Sequence, residues 1–84
     1  MPRALTAEWQ KVEAADQPEA ASRWRARREV LLRHGCHHWV FRNPSDPAAF
    51  LEFIEGADAE ILARARAGAG MDESAEILTE LELS

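Results

Sequence analysis

An α+β fold built on one antiparallel sheet follows from three features of the 84-residue chain. Cys36 to Gly56 holds two apolar-rich runs of strand length, CHHWVFRN and AAFLEFIEG, on either side of a Pro-Ser-Asp-Pro turn, which is the signature of a β-hairpin. A long helical pattern precedes the hairpin and a shorter, alanine-rich one follows it. Outside those helices stand two alternating runs, Leu5 to Glu13 and Ala75 to Ser84.

In the first run, Leu5, Ala7 and Trp9 alternate with Thr6, Glu8 and Gln10, as in a half-buried strand. Asp16, followed three residues on by Glu19, offers acceptors to the unpaired amides of a first helical turn, where Pro18 is tolerated. Ala20, Ala21, Trp24, Arg27 or Arg28, Leu31 and His34 then recur at three- and four-residue intervals. The helix is expected to run to about His34, with Gly35 as its left-handed stop.

In the hairpin, a register that sets His38 opposite Glu52 sorts the side chains most cleanly. One surface collects His37, Trp39, Phe41, Ala49, Leu51 and Phe53, is nearly all apolar, and is expected to lie beneath the helices. The other collects Cys36, His38, Val40, Arg42, Ala48, Phe50, Glu52 and Ile54, and is expected to stay open. Ala57 to Ala67 forms a short helix with Glu60 and Arg64 four apart on one flank, ended by Gly68-Ala69-Gly70. Met71 to Ser74 is a loop, and Ala75 to Ser84 a last strand.

The order strand, helix, strand, strand, helix, strand folds most readily into a single ferredoxin-like domain spanning residues 1–84. Its four-stranded sheet has the order 4-1-3-2, with both helices on one face. The bare face would carry Val40, Phe50 and Ile54, apolar enough to call for a second copy of the chain over it.

The residues also resemble a known family. Trp39-Val40-Phe41-Arg42 before a proline-containing turn, Phe50-Leu51-Glu52-Phe53-Ile54-Glu55 before the second helix, and the element order over nearly the whole chain are similar to the dimeric α/β-barrel superfamily. The likeness is greatest to small antibiotic-biosynthesis-monooxygenase-like proteins. That resemblance implies a homodimer whose two sheets close into a barrel, with a pocket inside it or between sheet and helices. Superfamily members include cofactor-independent monooxygenases, isomerases and haem-degrading proteins, so the resemblance leaves the reaction open. Many active members carry a histidine in the second helix, and Ala57 to Ala67 has none.

Composition narrows the partners. A hydrophobic content of 46% and a charged content of 30% are a globular balance, and a net charge of −5 argues against general nucleic-acid binding. Arg23, Arg25, Arg27, Arg28 and Arg33 are read as a solvated helix face. Cys36 is the only cysteine, which excludes an intrachain disulfide. The first residues lack the apolar run of a signal peptide or membrane span, so a cytoplasmic protein without a membrane partner is expected.

His38 and Glu52 are the candidate catalytic residues, since a carboxylate beside an imidazole makes a workable acid/base pair. Glu8, Gln10, Val40, Arg42, Phe50, Ile54 and Glu80 are candidates for the lining of a pocket or the face of a dimer. No metal set is completed, because His37 and His38 point to opposite sides of a strand and only carboxylates could join Cys36 and His38. No motif implies a cofactor. Trp9, Trp24 and Trp39 each fit the apolar phase of their own element and are expected in the core. Three functional readings follow. One is a homodimer that binds a small apolar or aromatic molecule without catalysis. The second is a cofactor-free monooxygenase or isomerase using His38 and Glu52. The third is a structural or regulatory dimer with no ligand.

Overall fold

The computed structural model describes residues 2–83. Strand β1 (Ala4–Lys11) leads through a 3-10 turn (Ala14–Asp16) into helix α1 (Gln17–Arg33). The hairpin β2 (His37–Asn43) and β3 (Asp46–Gly56) comes next, then α2 (Ala59–Gly68) and the two-residue β4 (Leu78–Thr79). All pairings are antiparallel and the sheet order is β2-β3-β1-β4, the expected 4-1-3-2 seen from the other edge. The ferredoxin-like arrangement inferred from the order of elements is therefore the observed one.

Local sequence explains most boundaries. Gly35, at φ 77°, reverses the chain after α1. Asp58 caps α2 by accepting from the Ile61 amide at 2.8 Å. Asp16 stands at the start of α1 but makes no side-chain cap, because the 3-10 turn brings it in with helical backbone angles already set. The last strand is much shorter than expected: only Leu78 and Thr79 pair with β1, opposite Leu5 and Ala4, and Ser84 lies outside the described residues.

The hairpin register and the assignment of its faces both differ from expectation. His38 faces Ile54 and Val40 faces Glu52, a displacement of two residues that keeps every side chain on its own surface. An irregularity between Arg42 and Asn43 absorbs the displacement beside a tight Pro44-Ser45 turn, where the Asn43 side chain accepts from the Ser45 amide. The even-numbered surface, expected to stay open, is the one the helices cover. The odd-numbered, nearly all-apolar surface faces away from them. Phe50 and Ile54, proposed for an open face, are therefore core residues, while Trp9 and Trp39, expected in the core, are exposed; Trp24 is buried as expected.

Two apolar clusters fill the space between sheet and helices. Ala4, Leu31, Cys36, Ile54, Leu62 and Ala65 pack at one end. Val12, Ala20, Trp24 and Phe50 pack at the other, the Trp24 and Phe50 rings 5.2 Å apart. At the first cluster α2 comes so close that a Cβ on Gly56 would lie 3.1 Å from the Cβ of Leu62 and 3.3 Å from the sulfur of Cys36. Glycine is needed there for proximity.

Candidate functional site

Between the two clusters the inner face turns polar. Glu8 and Glu52 are direct cross-strand neighbours, and His38 sits diagonally across from Glu52 on β2. Two carboxylates side by side repel, and each is met by its own arginine. Arg27 of α1 donates through one nitrogen to both oxygens of Glu52, at 2.6 and 2.8 Å, while Arg66 of α2 donates to Glu8 and to the Thr6 hydroxyl, each at 2.9 Å.

Glu52 is the centre of the arrangement. Its side chain is 1% exposed and that of His38 is 0% exposed. Besides Arg27, it accepts from Gln10 at 2.6 Å, and His38 Nε2 lies 2.7 Å from its second oxygen. The other ring nitrogen of His38, Nδ1, accepts from Arg28 Nε at 3.2 Å. Arginine can only donate, so Nδ1 accepts and the Nε2–H of His38 donates its hydrogen bond to the Glu52 carboxylate. Burial pushes the Glu52 carboxyl upward, but the bonds from His38, Arg27 and Gln10 together with the Arg27 charge outweigh it and hold the group at about 2. Among the described residues, every buried side-chain nitrogen or oxygen has a partner.

The candidates from the sequence are thus partly gathered and partly dispersed. His38, Glu52, Gln10 and Glu8 meet on the inner face. Val40 packs partly against the Trp24 cluster, and Arg42 lies exposed with its guanidinium 5.5 Å from the centre of the Phe50 ring. Glu80 is elsewhere: it pairs with Arg3, which also reaches Glu55, at the exposed junction of β1 and β4. Cys36 is buried at the other end of the sheet from Arg42, and burial, with help from the Glu55 charge, pushes its thiol up.

Arg27, Arg28 and Arg66 were not singled out individually by the sequence. The signal was nonetheless present. Arg27 and Arg28 fall in the same helical phase as Trp24 and Leu31, and Arg66 falls four residues after Leu62. An arginine in the inward stripe of a helix needs an acceptor beneath it, here a carboxylate for Arg27 and Arg66 and the His38 ring for Arg28.

The outer face has a different chemistry. Trp9 is 65% exposed, Phe41 54% and Trp39 43%. They form one surface, since Trp9 pairs across the sheet with Leu51 and Leu51 with Phe41, while Phe53 pairs with Trp39. Phe41 meets Phe53 edge to face at 5.6 Å, and His37 stacks on Trp39 at 5.9 Å. A shallow depression of about 330 Å³ lies among Trp9, Phe41, Leu51 and Phe53, with Arg42 and Asn43 at its rim.

Two solved structures share this architecture. A conserved protein of unknown function from Bacteroides thetaiotaomicron, described as a possible oxidoreductase, superposes with a TM-score of 0.68 at 18% identity, over 94% of each chain. A candidate antibiotic biosynthesis monooxygenase from Bordetella bronchiseptica superposes with a TM-score of 0.65 at 12% identity, over the whole of both chains. The chain shares their ferredoxin-like fold. At these identities the likeness is one of architecture. No family model matches the sequence, and no curated protein does. Among the described residues, no helix is long and apolar enough to cross a membrane.

Proposed function

We propose that the protein is a homodimeric binding protein whose two sheets meet through their outer faces and enclose a small, mostly apolar molecule. The exposed aromatic surface of Trp9, Trp39 and Phe41 carries this reading. A small monomer rarely leaves so continuous an apolar face in water, and a second sheet laid over it would bury roughly 800 Å² per partner if the contact were of ordinary size. The depression of about 330 Å³ beside Trp9 and Phe41 would then be roofed, at a volume in the lower range of small-molecule sites. Its apolar walls suit an aliphatic or aromatic body, and Asn43 at its rim suits a polar end.

The rival reading, a monooxygenase or isomerase with His38 and Glu52 as acid and base, draws support from their 2.7 Å contact and from the name of the Bordetella relative. A general base must come within hydrogen-bond reach of a substrate proton. Here both ring nitrogens are already engaged, by Arg28 and by Glu52, beneath α1. We therefore assign the pair a positioning role: it fixes α1 on the sheet.

Sedimentation equilibrium at micromolar concentration tests the reading. The expected mass is twice 9.4 kDa, and Trp9→Glu with Phe41→Glu should yield a monomer with unchanged far-ultraviolet circular dichroism. A wild-type monomer would remove the proposal. Anilinonaphthalene sulfonate should bind the wild-type dimer and not the folded monomeric variant; a dimer that ignores the probe would leave the assembly and remove the pocket.

A further inference from the structure

Charge on the outer surface lies at its two ends. At one end Arg3 donates through all three of its nitrogens to Glu55 and Glu80, so a single cation serves two carboxylates. At the other end Lys11, which shares the outer side of β1 with Trp9, donates to Asp46 alone among the described residues. Asp46 does not depend on that contact for its position, since its other oxygen accepts from the Ala48 amide at 3.1 Å.

Lys11 also borders a space. A depression of about 250 Å³ lies among Trp9, Gln10, Lys11 and Ala49. Trp9 separates it from the depression described above, whose walls are Trp9 itself, Phe41, Leu51 and Phe53. The two hollows therefore adjoin across one exposed indole, apolar on the Phe41 side and cationic on the Lys11 side. Ala49, the cross-strand partner of Lys11, leaves the second hollow open because its side chain is a single methyl.

We propose that the molecule held between the two sheets is an apolar acid, with an aromatic or branched aliphatic body against Trp9 and Phe41 and one carboxylate reaching the Lys11 ammonium. This rests on the outer-face dimer and pocket proposed above. An ammonium has three hydrogens to give, and Asp46 takes one of them. In the single chain water accepts the others, and an exposed pair such as Lys11 with Asp46 contributes little. A second sheet over the face removes that water. The unanswered hydrogens then become costly, and a charged bond to whatever acceptor replaces the water becomes strong. A ligand carboxylate meets that demand, and gives Lys11 the two-carboxylate setting that Arg3 has at the other end. The Arg3 end does not suit the acid, because its carboxylates already outnumber its cation. A wholly apolar ligand would leave the Lys11 hydrogens without an acceptor, and an amine would bring like charge against them.

Two dyes with the same rings separate the acid from its body: anilinonaphthalene sulfonate is an anion, and phenylnaphthylamine lacks the sulfonate. With the dimer verified by sedimentation in each case, Lys11→Met should bind the sulfonate about tenfold more weakly than wild type and the neutral dye equally well. Lys11→Arg should restore the sulfonate. Asp46→Asn removes a competing carboxylate and leaves Lys11 in place, so its affinity for the sulfonate should hold or rise. A fall there matching that of Lys11→Met would make the pair a brace between β1 and the hairpin and overturn the proposal. So would a Lys11→Met variant that binds both dyes as wild type does, or loses both alike. In the wild type itself, rising salt should weaken the sulfonate and leave the neutral dye unchanged; equal responses overturn the acid and leave a neutral apolar pocket standing. A wild-type dimer that binds neither dye overturns the acid and the pocket together.

Discussion

Glu52 sits in the interior because donors from three elements reach it: Gln10 on β1, Arg27 on α1 and His38 on β2. Desolvating a carboxylate is expensive, and removing it would strand a largely buried arginine and a wholly buried histidine. Glu52→Ala is therefore expected to lower unfolding free energy by about 3–5 kcal/mol in urea titrations. The acid limb of the stability curve should carry the same residue's mark. Its ordinary value of 4.5 falls to about 2 in the fold, so the unfolded chain takes up the proton first as pH drops. The contribution, about 3 kcal/mol, is complete above pH of about 5 and is lost as pH falls to about 2. In Glu52→Ala that segment of the curve should flatten, as urea midpoints measured across the range would show.

At the scale of elements, short-range signals decide where chains turn and long-range compensation decides which side is buried. The Asp58 cap is an example of the first. Asp58→Ala should cost about 1 kcal/mol and fray the start of α2, visible as faster amide exchange near Ile61. The order of elements, the stop at Gly35 and the buried stripe of Ala20, Trp24 and Leu31 on α1 were all legible in the sequence for the same reason: each is fixed by periodicity or by one backbone requirement. The facing of the hairpin was not legible in that way. Its odd surface, with Trp39, Phe41, Leu51 and Phe53, is the more apolar, and apolarity alone sends it inward. What sends it outward is the pairing of Glu52, His38 and Glu8 with arginines contributed by both helices, which makes a polar surface buriable. The parity of the strands was legible and their exact register was not, because alternation is unchanged by a shift of two. His38 and Glu52 still meet, diagonally, across that shift.

For the whole molecule, the reversed faces change what a substitution should report. Ile54→Ala removes a fully buried side chain and should cost about 2–5 kcal/mol at any protein concentration. Phe53→Ala acts on the outer face, where Phe53 supports Phe41. If the proposed outer-face dimer forms, its effect should grow with protein concentration, because the contact it weakens is then the one between copies. Thermal melts of both variants over a series of dilutions separate the two behaviours. A Phe53→Ala loss that ignores concentration would place that side chain in the fold of the single chain.

The band of charge across the inner face divides the interior into two small hydrophobic regions that do not touch as one. Thermodynamic independence should follow. Trp24→Phe in one region and Leu62→Val in the other share no apolar neighbour, so their costs should add to within about 0.5 kcal/mol. Ile54→Val and Leu62→Val, within one region, should show coupling. A protein built this way can drift in sequence at one end of its interior without retuning the other, provided the ion pairs between them stay fixed.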